Sequence, residues 1–399
     1  MTSDPQGKPS HPPARTATRL VNGGRDPSAH HGFVNPPVYH ASTVLYPSAE
    51  EFLAHRGRYQ YGRRGTPTSE ALADALAALE GEGCAGVALL PSGLAAASVA
   101  LLSVLQAGDH VLVTDTVYLP TRKFCDSVLA RYGITTSYYD PLIGERITAL
   151  IEPNTRAVFV ESPGSLSFEM QDVPAITAAA HAKGAVVLMD NTWASPLYFR
   201  AFDKGVDLSI QSGTKYIGGH SDVMLGTVSA NLATWPLLRE IVQAMGLCVG
   251  PDDMYLGLRG LRTMGVRLAQ HYASGIKVAR WLAGRPEVAR VLHPALEGDP
   301  GHAIWQRDYS GACGLFSIVL QPAPQAAVNA FLNALTLFGI GASWGGFESL
   351  AIPFDCATMR SATAWAPGGP TVRFHIGLED VDDLIGDLER GFAALAAAR

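Results

Sequence analysis

The sequence predicts an α/β fold in which a large domain built on a mainly parallel sheet precedes a small C-terminal α+β domain. Three observations carry that expectation. Short apolar runs alternate with helix-like stretches from about residue 68 to 210, the pattern of strands joined by crossover helices. Polar clusters follow five of those runs directly, as happens where parallel strands end at a common cleft. At 399 residues the chain exceeds what a single core ordinarily organises.

Taken in chain order, Met1 to about Arg19 is rich in Pro, Ser, Thr and His and lacks the apolar core of a signal peptide. It reads as a mobile or partner-dependent beginning to an N-terminal arm over 1–60. A large domain over 61–255 starts with a helix at about 68–83, in which Leu72, Leu76 and Leu79 recur at helical spacing. Val87–Leu90 is a buried strand that runs into Pro91-Ser92-Gly93, and a helix begins near Leu94. The alternation continues with a strand at Val111–Val113 and a helix from Thr121 to about Arg131. A strand at Val158–Val160, a helix at Val173–Lys183 and strands at Val186–Met189 and Val206–Ile210 follow.

The helix-rich stretch Pro251–His271 leads into a C-terminal domain over 256–399. There Gly314–Leu320 and Thr371–Ile376 read as strands and Ala326–Leu337 as a helix. The last helix is marked by the stripe Val381, Leu384, Ile385, Leu388, Phe392 and Leu395. Glu379, Asp380, Asp382 and Asp383 complement its positive start.

With 47% hydrophobic and 17% charged residues the chain suits a compact globule. A net charge of −6 supplies no long-range attraction for nucleic acid or an anionic membrane. No uninterrupted apolar stretch is long enough for a membrane span. The five cysteines are scattered without metal-ligand spacing, which favours a reducing compartment, with the cytoplasm as the default location. No metal site is expected, because His30 and His31 sit in a Pro/Gly-rich stretch and His220 lacks a nearby ligand set.

The segment VDLSIQSGTKYIGGHSD is the most informative. Lys215, between a strand and a glycine pair, can be held at a fixed point where its amine condenses with an aldehyde; a surface lysine capping a turn is the plain alternative. Asp190, ending AVVLMDN, can pair with the protonated ring nitrogen of pyridoxal 5'-phosphate (PLP) or simply cap the next helix. A phosphate site can be assembled from the backbone N–H groups of Gly93 and Leu94 at a helix start, the hydroxyls of Ser212 and Thr214, the Arg63 guanidinium and the Tyr61 phenol. Tyr118 is a candidate to stack on the cofactor ring, or a core tyrosine with one satisfied hydroxyl. Arg373, in TVRFHIG, can clamp a substrate carboxylate or bridge structural elements.

From about Thr18 to its end the chain resembles the Cys/Met-metabolism PLP-dependent enzymes, especially their bacterial cystathionine β-lyases. The likeness runs through YGRRGTPT, PSGLAAA, ESPGS, MDNTWASP, SGTKYIGGHSD, GLRGLRTMGVR, SWGGFESL and RFHIGLEDVDDLI, in that order. It implies PLP fold type I with a seven-stranded sheet, and a homotetramer of two active dimers in which Tyr61 and Arg63 reach the neighbour's phosphate site. By the same resemblance Gly93, Leu94, Ser212 and Thr214 hold the phosphate, Tyr118 stacks on the ring, Asp190 pairs with its nitrogen and Lys215 is the Schiff-base lysine. Arg373 matches the carboxylate clamp, beside Ser343 and Trp344 of SWGG as further substrate-binding residues.

Gly164 and Ser165, the SWGG motif and Tyr118-Leu119-Pro120 resemble the β-eliminating branch, implying release of homocysteine, pyruvate and ammonia from L-cystathionine. Ala342 departs from it, standing where those β-lyases commonly have tyrosine, so another cysteine thioether or conjugate stays open as substrate. Cystathionine γ-lyase or γ-synthase chemistry and a non-catalytic PLP-binding interaction protein are the remaining alternatives.

Overall fold

The computed structural model describes residues 14–399. The first 13 residues of the expected arm lie outside the described residues. The rest of its opening is not loose as far as Arg19: a helix spans Thr16–Asn22, Leu20 is buried, and Arg19 Nη1 donates to the Ala78 carbonyl at 2.9 Å.

Among the described residues eleven strands form two sheets. The large sheet contains β1 (Gly86–Leu90), β2 (His110–Thr114), β3 (Thr135–Tyr139), β4 (Thr155–Glu161), β5 (Val186–Asp190), β6 (Leu208–Ser212) and β7 (Gly226–Ala230). Their spatial order is β1-β7-β6-β5-β4-β2-β3, with β7 antiparallel to both neighbours and the other pairs parallel. The expected mainly parallel, seven-stranded sheet is therefore present. Alternate residues feed two cores: Val158, Val160, Val187 and Met189 face one side, and Ala157, Phe159 and Leu188 the other. Burial on both faces is why these strands read as apolar runs.

The flanking helices start on local signals. Pro67–Glu80 opens with Pro67 at its first position and a capping box between Thr66 and Ser69. Gly93–Val104 is capped by Ser92, whose Oγ accepts from Ala95 N at 3.1 Å. The helix expected from Thr121 begins at Leu119 and passes into a π-turn over Cys125–Leu129.

A 33-residue helix, Pro251–Ala283, about 50 Å long at 1.5 Å per residue, joins the two sheets. The division expected after residue 255 falls inside it. The second sheet comprises β8 (Val288–Leu292), β9 (Leu315–Leu320), β10 (Leu350–Phe354) and β11 (Thr371–His375), all antiparallel in the order β10-β11-β9-β8. Helices Gln325–Asn333 and Val381–Ala397 close its core through Phe316, Phe331, Phe374 and Phe392. This is the expected small α+β domain. No described helix is long and apolar enough to cross a membrane.

Candidate active site

Sheet register brings the expected residues to one edge. Ser212 pairs with Gly226, which also pairs with Leu90, so the ends of β1, β6 and β7 lie level. Asp190 pairs with Glu161 on one side and Ile210 on the other. The loop 213–225 therefore leaves and re-enters the sheet at adjacent positions, and Lys215 sits on it.

That loop is clamped from below. Gly260, on the long helix, packs against the carbonyls of Ile217 and Gly218 so closely that a side chain would strike both. Arg267 Nη2 donates to the Tyr216 and Gly260 carbonyls, each at 2.8 Å. The motif GLRGLRTMGVR thus supplies the floor beneath the lysine loop.

Lys215 Nζ donates to Ser343 Oγ at 2.8 Å and lies 5.4 Å from the centre of the Trp344 ring. Burial, helped by the positive charge of Arg373, pulls its pKa down to about 8 against the opposing pull of Asp190. Arg373, on β11, donates from Nη2 to the Ser343 carbonyl at 2.9 Å, and burial pulls its own pKa down to about 10. His375 Nε2 lies 3.1 Å from both Gly345 N and Gly346 O, which seats the SWGG loop against the lysine.

Asp190 Oδ1 accepts from Thr192 N at 3.0 Å and Thr192 Oγ1 at 2.5 Å, and Thr192 Oγ1 in turn accepts from Ser212 N at 2.9 Å. One hydroxyl therefore ties the Asp190 carboxylate to the lysine strand. Burial raises the Asp190 pKa, opposed by Thr192 and by the charge of Lys215. Glu161 Oε2 accepts from Tyr118 N at 2.7 Å; burial, then the neighbouring Asp190 charge, push its carboxyl well above the usual range. Tyr118 is 47% exposed on the cleft side of this pair. Burial of its phenol and the charges of Glu161 and Asp190 raise its pKa, so it keeps its proton at neutral pH.

Gly93 and Ser212 meet. A Cβ on Gly93 would lie 2.5 Å from Ser212 Oγ and 2.6 Å from Ser212 Cβ, so only glycine lets the helix start approach the strand end. Leu94 follows, 39% exposed. Thr214 Oγ1 is already engaged, accepting from Leu225 N at 3.1 Å and donating to Leu225 O at 3.2 Å.

Tyr61 and Arg63 do not join this constellation. Arg63 Nη1 donates to the Gln243 carbonyl at 2.9 Å, and both residues are exposed. Within one chain, therefore, Arg63 is engaged away from Gly93 and Ser212. Glu161, Thr192, Arg267 and His375 were not among the expected site residues. A carboxylate ending a strand and a threonine two residues after Asp190 were the available signals for the first two; Arg267 lies in GLRGLRTMGVR and His375 in RFHIGLEDVDDLI, motifs that marked the stretches but not these side chains.

A family model described as Cys/Met metabolism PLP-dependent enzyme matches residues 17–393. The chain belongs to this family. It is 55% identical over 386 residues to a Rhizobium johnstonii protein provisionally named cystathionine β-lyase, covering 95% of this chain and 96% of that one. It is 47% identical over 390 residues to the cystathionine β-lyase of Salmonella typhimurium, covering 95% and 98%. The crystal structure of cystathionine γ-synthase from Xanthomonas oryzae pv. oryzae in complex with aminoacrylate and cysteine superposes with a TM-score of 0.90 at 32% identity, covering 97% of this chain and all of that one.

Members of the family are PLP-dependent enzymes, and the residues present fit that cofactor. A half-buried amine whose pKa is lowered to about 8, a carboxylate at the end of an adjacent strand and a glycine-lined helix start beside a serine hydroxyl are the groups that an aldehyde, a ring nitrogen and a phosphate require.

Proposed function

We propose that this chain is a carbon–sulfur lyase that cleaves L-cystathionine between Cβ and sulfur and, with uptake of one water, gives homocysteine, pyruvate and ammonia. The observation that carries this reading is a lysine amine of pKa about 8 held 2.8 Å from Ser343, on the loop residue whose carbonyl also receives Arg373. The two β-lyase-named relatives, alike over 95% of this chain, support the substrate.

Bound PLP supplies an electron sink that makes the substrate's Cα proton acidic and allows a β-thiolate to leave. Lys215 would hold the cofactor aldehyde at rest and, once free, take the Cα proton on Nζ. A base of this pKa sheds its proton close to neutral pH, as proton abstraction requires. Ser343 Oγ aims Nζ, and Arg373 would grip the substrate α-carboxylate with parallel N–H donors. Trp344 lines the same loop. Asp190, oriented by Thr192, would face the ring nitrogen and keep positive charge there.

The Tyr118 ring would cover the cofactor, its backbone fixed by Glu161. Gly93 N–H, Leu94 N–H, Ser212 and Thr214 would hold the phosphate, with Thr214 exchanging its bond to Leu225 O. Tyr61 and Arg63 would complete that site in a second copy, which makes an active dimer the smallest competent unit and a homotetramer a pair of such dimers. The dispersed cysteines suit a reducing, cytoplasmic setting.

A γ-acting reading is favoured by one observation, the 0.90 TM-score with the γ-synthase. End-point analysis of PLP-loaded protein with L-cystathionine separates the two. Homocysteine with pyruvate is the expected result. Cysteine with 2-oxobutyrate would move the assignment to γ-cleavage, and no keto acid from any cysteine or homocysteine thioether would end the lyase reading.

A further inference from the structure

Asp115 lies in the turn after β2, three residues before Tyr118, and has no part in the roles set out above. Its Oδ1 accepts from Arg122 Nη1 at 3.0 Å and Ser361 N at 2.9 Å. Its Oδ2 accepts from Ala362 N at 3.1 Å and from Thr363 N and Thr363 Oγ1, each at 2.8 Å. The Asp115 side chain is 0% exposed and that of Arg122 9%. Arg122 is fixed in turn, its guanidinium 3.5 Å over the Tyr138 ring and its Nη2 donating to Ser361 Oγ at 2.5 Å.

Residues 361–363 belong to the segment between β10 and β11, the strand that carries Arg373. The same segment is fastened again by Arg360, which donates to Ser167 Oγ and to Glu169 Oε1 at 2.7 Å beyond β4. Burial alone would raise the Asp115 pKa; the Ser361, Thr363 and Arg122 donors outweigh it and hold the carboxyl below the usual range, so the group is ionised when it makes these bonds.

We propose that Asp115 is a positioning residue that latches the 361–363 segment of the small domain to the turn bearing Tyr118, keeping Arg373 and Tyr118 at a set separation across Lys215. This rests on the substrate and cofactor roles proposed for Arg373 and Tyr118. The latch does not touch the reacting groups, so it acts on how well a bound amino acid is gripped.

The test is Asp115→Asn in the PLP-loaded protein. The amide keeps the shape but turns one acceptor into a donor facing N–H groups. KM for L-cystathionine should rise about tenfold while kcat changes less than about threefold, the pattern of lost substrate binding. Amide hydrogen exchange at Ser361–Thr363 should accelerate at least about tenfold.

Asp387→Asn is the control, because Asp387 is an equally buried carboxylate that accepts from the N–H groups of Thr336, Leu337 and Phe338, inside the small domain. It should lower the melting temperature and leave KM unchanged. Thr363→Ala, a milder variant should Asp115→Asn not fold, should raise KM in the same direction and add little on top of Asp115→Asn. An Asp115→Asn protein that melts earlier with unaltered KM, or whose 361–363 amides exchange as before, overturns the proposal. If the wild-type protein releases no keto acid, the exchange measurement and the affinity for glycine, read from the cofactor's absorption, still decide the latch separately from the lyase reading.

Discussion

Lys215 shows at residue scale how burial lowers the pKa of an amine. Its ammonium loses hydration in the loop and faces Arg373, and the Asp190 carboxylate compensates only in part, so the pKa falls from 10.5 to about 8. The consequence for stability has a definite sign. Below about pH 8 both folded and unfolded chains carry the charge, and the cofactor-free fold bears the whole cost of burying it, ~3 kcal/mol. Between about pH 8 and 10.5 the unfolded chain binds the proton and the folded chain does not, so stability rises with pH. In cofactor-free protein Lys215→Met should therefore be more stable than wild type by up to ~3 kcal/mol near pH 7.5 and by only ~1 kcal/mol near pH 9.5, measured by urea unfolding. A constant difference across that range would refute the role given to the charge.

At the scale of elements, the large sheet is held to the helix Pro67–Glu80 by a buried carboxyl that the chemistry does not use. Glu80 ends that helix under β6; Gln211 Nε2 donates to its Oε1 at 3.4 Å, and Oε2 has no partner among the described residues. Burial raises its pKa from 4.5 to about 7 despite the neighbouring serines and Gln211. Stability contributed by this group is present below about pH 4.5 and is lost as pH rises through 7, where the fold must keep a buried carboxylate. Glu80→Gln should match wild type near pH 5 and exceed it near pH 8 by ~1–3 kcal/mol, again by urea unfolding, with the steady-state kinetics unchanged. Equal stability at both pH values would show that the carboxylate finds compensation on ionising.

For the whole molecule, the position of Arg63 bears on the active dimer proposed above. Its guanidinium lies on the Gln243 carbonyl and not at Ser212 or Gly93, so within one chain the proposed phosphate site lacks this charge. An active dimer that exchanges Tyr61 and Arg63 predicts complementation. Arg63→Ala and Lys215→Ala proteins, each nearly inactive, should recover about a quarter of wild-type activity when unfolded together and refolded, because half of randomly paired dimers are hybrids with one intact site. Recovery near zero would mean that each chain supplies its own phosphate arginine.

The sequence by itself determined the fold class and most of the cluster around Lys215. Strands buried on both faces are written as apolar runs, such as Val158–Val160 and Val186–Met189, and polar residues at their ends must face one cleft. β3 (TTSYY) and β7 (GTVSA) escaped because one is a polar edge strand and the other is built of small residues. β10 (LAIPF) was hidden by its proline, tolerated only because the strand lies at an edge. Tertiary structure alone decided that Thr192 joins Asp190 to Ser212, that Arg267 holds the lysine loop, that Asp115 receives a segment 246 residues away, and that Arg63 rests on the Gln243 carbonyl. Such pairings are set by strand register and by helices packing across the sheet. They join groups distant along the chain, and a hydrogen bond of that kind leaves no local pattern to read.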